Sequence, residues 1–128
     1  MAVLLYDKET EIDRASPDQV TSSFIRGYLN DRSDDEAALY TCKSGARLEV
    51  LAALRAEMVE RERKFGTSVT ATWESLTVSG EGRSKKVEVD LLIQGSANGR
   101  QVSSRTESWS FSLLDEDGWR VCAASKVG

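Results

Sequence analysis

Asp90 interrupts an otherwise apolar run, VEVDLLI at 87–93. A carboxylate buried in such a strand has its pKa raised by desolvation and can move a proton near neutral pH. Strict alternation instead puts Asp90 on the polar side of the strand with Glu88, where it is solvated. Arg55 and Glu62 pose the same choice. They project beside the apolar stripe of a long helical segment, about 10 Å apart along its axis. They either face a pocket or lie along apolar surface with their charged ends in water. Tyr28 and Tyr40 could offer hydroxyl donors, or could fill a core with the hydroxyl at its edge. Trp73, Trp109 and Trp119 follow inward strand alternation, which suits pocket walls and plain core alike. The ligand-pocket candidates are Tyr28, Arg55, Trp73, Asp90 and Trp109.

Several chemistries lack their residues. Histidine is absent, which removes the usual neutral-pH base and the commonest transition-metal ligand. Cys42 and Cys122 cannot complete a four-ligand zinc site by themselves, so no metal is expected. They are either a linked pair or two buried thiols acting as small apolar groups. Seventeen basic against twenty-one acidic residues give a net charge of −4, and RSKK is the longest basic cluster. A nucleic-acid surface needs a denser basic patch, so no nucleic-acid partner is expected.

The elements that would position these residues follow from capping and periodicity. With 40% hydrophobic and 30% charged residues and a single proline, the 128-residue chain has the composition of one globular domain without a linker. SPDQVTSSFIRGYLN predicts a helix with Ser16 as N-cap, Pro17 at its first position and Gln19 closing a capping box. SDDEAALY predicts a second, short helix capped by Ser33 with Glu36. A third is expected from about Gly45 to Phe65, capped by Ser44 and ended by Gly66, with Leu48, Leu51, Leu54, Met58 and Phe65 as its stripe. Glu57 with Arg61 and Glu60 with Lys64 mark its solvated face. Beyond Gly66 the period becomes two. Val69, Ala71 and Trp73 alternate, then Leu76 and Val78 resume out of phase, predicting a bulge near Glu74 and Ser75. Val87, Val89, Leu91 and Ile93 form the inward row of the next strand. Asn98-Gly99 turns into a third strand at about 101–114, DEDG turns again, and WRVCAASKV is the last. The expected fold class is α+β: three N-terminal helices packed on a four-stranded antiparallel sheet.

SPDQVTSSFIRGYLND, the short acidic-capped helix, a cysteine before a longer helix, a long antiparallel meander and the closing GWRVC together resemble the NTF2-like (SnoaL-like, cystatin-related cone) domains. The sequence is most similar to the extracytoplasmic NTF2-like domains of actinobacterial single-pass membrane proteins. The resemblance implies that the sheet is a curved cone. It also implies that Cys42 pairs with Cys122, which would stabilise the fold by about 4 kcal/mol and places the domain in an oxidising compartment. It further implies that residues 1–15 are a juxtamembrane stub, that 16–128 form the domain, and that a membrane-spanning segment lies upstream of the chain. A homodimer packed through the sheets is implied as well.

Enzymes of that superfamily carry acid/base groups inside the cone, but no position here matches their motifs residue by residue. The His-Asp arrangement resembling scytalone dehydratase is impossible without histidine, and no Asp-Arg-Asp set resembling limonene epoxide hydrolase assembles. The expectation is therefore a non-catalytic interaction or assembly module of a membrane-anchored protein, with no cofactor. Its partner would be an unidentified protein or a small apolar ligand. The alternatives are a small-molecule-binding cone and an isomerase-like or dehydratase-like enzyme using Asp90, Tyr28 or Arg55.

Overall fold

The structure, a computed structural model, describes residues 14–127. All but the last two residues of the expected 1–15 stub lie outside the described residues. Helix α1 spans Pro17–Ile25 and runs on through a π-helical turn at Arg26–Asn30, where the Asp31 amide donates to the Arg26 carbonyl. Ser16 is the N-cap residue with extended backbone, but its hydroxyl makes no capping bond, so the expected box with Gln19 does not form. Pro17 sets the first turn instead, and the Thr21 hydroxyl donates back to its carbonyl. Helix α2, Asp34–Ala38, is capped as expected, with the Ser33 hydroxyl accepting from the Glu36 amide at 3.1 Å.

Helix α3 covers Glu49–Phe65, four residues shorter at its start than expected. The reason is competition for backbone hydrogen bonds. Residues 41–47 lie against the last strand, where the Cys42 amide donates to the Val121 carbonyl, the Arg47 amide to Cys122, and the Ala124 amide to Arg47. This segment covers a sheet edge that would otherwise expose unpaired donors and acceptors. The helix ends as expected at Gly66, whose φ of 65° is the left-handed C-cap that glycine adopts without steric cost.

Five strands form one antiparallel sheet: β1 Ser68–Thr72, β2 Leu76–Glu81, β3 Ser84–Ala97, β4 Arg100–Asp115 and β5 Trp119–Lys126. Four strands were expected, and the difference lies at the predicted bulge. Thr72 pairs with Leu92 and Leu76 with Val89. Four steps along the first chain therefore oppose three along β3, and the strand parts into β1 and β2 along one edge. The extra residue keeps Val69, Ala71 and Leu76 on the inward side despite the phase change. Asn98 and Gly99, both at positive φ, make the two-residue turn between β3 and β4. A second irregularity on β5 leaves Cys122 without a β4 partner, between Val121 opposite Leu113 and Ala123 opposite Ser112.

The curled sheet closes over α1 and α3. Val20, Phe24, Ile25 and Leu29 from the first helical stretch and Leu51, Leu54 and Met58 from α3 meet Val87, Leu91, Trp109, Phe111 and Leu113 of the sheet, all buried. Phe24 meets Phe111 edge-on at 6.2 Å. Each such side chain contributes about 1.5–3 kcal/mol by leaving water. Phe65, expected in the stripe, is 61% exposed. The helical positions before it on that side are held by Arg61 and Glu62, and Lys64 lies over its ring.

Candidate functional site

Among the described residues, polar side chains gather on the inner face of the cone, in a cleft between α1 and α2, and on the outer face of the sheet at the β1–β2 break. On the inner face, Trp109 is buried at 1% exposure and its indole N–H donates to Glu107 at 3.0 Å. Arg105 Nε donates to the same carboxylate at 2.8 Å and its other end binds Glu57 of α3 at 2.7 Å. Lys126 adds a second cation at 3.6 Å from Glu107. Burial pushes the Glu107 carboxyl upward, but the Trp109 and Arg105 hydrogen bonds and the Arg105 and Lys126 charges outweigh it, leaving it below the ordinary carboxylate range. For Arg105, burial opposes the charge, and the bonds to Glu57 and Glu107 reverse that and raise its pKa. The cluster is ionised and mutually satisfied, so its chemistry is bracing rather than proton transfer.

Glu57, read from the sequence as part of a solvated face, thus bridges helix and sheet. Arg105 and Glu107 were not singled out in the sequence. The available signal was two charges on the inward parity of β4, the row that continues through Trp109, Phe111 and Leu113.

The cleft, of about 500 Å³, lies between α1, α2 and the 41–48 segment, with Phe24, Ala37 and Leu48 as apolar walls and Asp34, Lys43 and Arg120 among the polar ones. Tyr28 lines it, stacked on Phe24 at 5.4 Å. Arg55 lies over the Tyr28 ring, 4.8 Å from its centre. Arg55 also pairs with Asp34 and donates to the Arg32 carbonyl at 2.8 Å. The Asp34 hydrogen bond raises the Arg55 pKa against the opposing effect of burial. Glu62 faces neither cleft nor cone. One of its oxygens takes Arg32 at 2.7 Å and the other takes the Val69 amide at 2.8 Å, and Arg32 also holds the Val69 carbonyl. Burial favours a protonated Glu62, but Arg32 and the Val69 N–H together hold its carboxyl below the usual value.

On the outer face, Asp90 is exposed and accepts from the Ser108 hydroxyl of β4 at 2.6 Å. Trp73, half-buried where β1 ends, packs against the core and donates from its indole N–H to Ser22 of α1 at 3.1 Å, so it reaches this region from the inner side. Both line one pocket of about 400 Å³. The five pocket candidates are therefore distributed: Tyr28 at the cleft with Arg55 against its ring, Trp109 in the core against Glu107, Asp90 on the outer face, and Trp73 at the β1–β2 break, packed against the core. Trp119 is buried, with Lys85 Nζ 5.9 Å from its ring centre, and Tyr40 is half-buried against the core.

Cys42 and Cys122 are joined by a disulfide with Cα atoms 4.9 Å apart, inside the usual span of such bonds. Glu116 places a carboxylate oxygen within 4.8 Å of both sulfurs. The link ties the edge-covering segment to β5 at the strand irregularity and contributes one wall of the cleft through Cys42.

No family pattern matches the sequence, and no curated protein matches it. Solved structures do match. A proposed ketosteroid isomerase from Shewanella frigidimarina superposes with a TM-score of 0.59 at 12% identity, over 85% of this chain and 92% of that one. An NTF2-like protein with a cystatin-like fold from Novosphingobium aromaticivorans gives 0.63 at 13% identity, over 84% and 76% of the two chains. Aln2 from a Streptomyces species gives 0.63 at 15% identity, over 88% and 91%. The chain has the NTF2-like, cystatin-like α+β fold: three helices followed by a curled antiparallel sheet. Identities this low carry the fold and no function.

Proposed function

We propose that this domain is a non-catalytic interaction or assembly module that works outside the cytoplasm, carried at a membrane by a segment upstream of the chain. The observation that carries this reading is how the inner face is used. Its most deeply set carboxylate, Glu107, is kept ionised by Trp109, Arg105 and Lys126. The adjoining space is filled by Trp109, Phe111, Phe24 and Met58. A proton-transfer enzyme needs the reverse, a carboxyl near neutrality facing an open cavity. The disulfide supports the compartment, because such bonds persist where thiols are not kept reduced. Among the described residues no helix is long and apolar enough to cross a membrane, so in this reading the anchor lies elsewhere.

The test is the thiol state of Cys42 and Cys122 in protein recovered from its own cells under exchange-blocking conditions, together with crosslinking in place. A linked pair and a discrete crosslinked partner support the module. Two free thiols remove the compartment. A second reading rests on the 500 Å³ cleft, whose size suits a small amphipathic molecule bound between Phe24 and Leu48. It predicts that a bound ligand perturbs Tyr28 and is weakened by Arg55→Ala.

A further inference from the structure

We propose that the outer-face pocket at the β1–β2 break binds an organic cation, the ammonium or guanidinium group of an amine or of a basic side chain. The pocket encloses about 400 Å³, within the range of small-ligand sites. Its walls combine Trp73 and Leu92 with the carboxylates of Glu74 and Asp90 and the hydroxyls of Thr72 and Thr106, and no lysine or arginine lines it. Those residue types match a cation with an apolar collar. Two carboxylates neutralise the positive charge, hydroxyls accept its remaining N–H bonds, and Leu92 with the exposed part of the half-buried Trp73 meets the apolar collar. An anion would be repelled. A neutral polyhydroxyl ligand would use the ring and the hydroxyls but gain nothing from the two negative charges.

The backbone builds the opening. Thr72 pairs with Leu92 and Leu76 with Val89, so β3 has no partner at Asp90 and Leu91 on that side, and the chain at 73–75 swings clear of the sheet. Two side chains are set in place beforehand. Trp73 is tethered through its indole N–H to Ser22, and one Asp90 oxygen is fixed by Ser108, which leaves the other free to accept. The chain as a whole carries a net charge of −4, which favours the approach of a cation.

The experiment is a titration of the intact, disulfide-linked domain with n-butylammonium chloride and, separately, with the blocked peptide acetyl-Gly-Lys-Gly-amide at matched ionic strength. It is followed by amide and indole resonances. Saturable shifts are expected at the Trp73 indole N–H and the Asp90 and Ser108 amides. Added salt should weaken binding, and Asp90→Asn and Glu74→Gln should each weaken it about threefold, the scale of a partly exposed ion pair. Equal affinity for the two probes identifies the free cation as sufficient, and tighter binding of the peptide identifies a partner's basic side chain. Both results support the site. Shifts that fail to saturate, that are scattered over other acidic residues, or that persist unchanged in the Asp90→Asn/Glu74→Gln variant overturn it. Both substitutions are at exposed positions and leave the core intact. The site is independent of the compartment: free thiols in the cell would leave this pocket unaffected, and absent amine binding would leave the disulfide result standing.

Discussion

Glu62 shows how a charge beside an apolar stripe can have a purely structural use. Its two oxygens hold Arg32 and the Val69 amide, joining the loop after the π-turn to the first strand. Because its folded pKa lies below the ordinary value of about 4.3, the clamp contributes stability above that pH and loses it as pH falls through the lower folded value. Glu62→Gln should therefore cost about 1–2 kcal/mol at neutral pH. Urea midpoints at pH 7 and in acid should show the gap from the parent protein narrowing as the pH falls. Glu107 obeys the same sign through Trp109 and Arg105. If the inner cluster only braces the fold, Glu107→Gln will lower stability and leave the surface chemistry at Asp90 unchanged, as read by the amine titration. At this scale the sequence was informative about which residues were out of place. It could not pair them, because Arg32 with Glu62 and Arg105 with Glu57 are 30 and 48 positions apart.

Among the elements, turn and cap chemistry was the most legible, since it depends on adjacent residues. Asn98-Gly99, Gly66 and Ser33 stand where their backbone preferences put them. Replacing Gly66 by alanine, in its left-handed conformation, should cost about 1 kcal/mol, measurable as a drop in Tm. The start of α3 was misread for a reason that propensity does not contain. Residues 45–48 precede the helix because Arg47 bonds across to Cys122 and Ala124. The disulfide sits in the same seam, and a cross-link closing 80 residues of chain removes much of the unfolded chain's freedom. Reduction, or Cys42→Ser with Cys122→Ser, should lower stability by about 2–4 kcal/mol. Hydrogen exchange should then show the 41–47 amides opening before those of β3 and β4, whose long pairing does not depend on the link.

Across the whole molecule, helix-then-sheet order follows from a change of hydrophobic period at Gly66, and the inward rows of β3 and β4 follow from alternation. These are local patterns, and burial reads them without knowing the fold. Even the bulge before Leu76 was visible as a slip of phase, although its consequence, a strand divided into two along one edge, was not. Curvature decided the rest. It brings Glu57 of α3 onto Arg105 of β4, and it sets Tyr28 and Trp73, both packed against the core, at the walls of different pockets. It leaves Trp73 packed against the core and tied to α1 while Asp90 stands on the outer face, the two meeting only at the pocket of the β1–β2 break. The sequence by itself determined the elements, their inward faces and the absence of a histidine-based site, because each depends on residue type and short spacing. Only the tertiary structure decided which polar groups meet, because register, sheet curl and the capped edge of β5 set those distances between residues far apart in the chain.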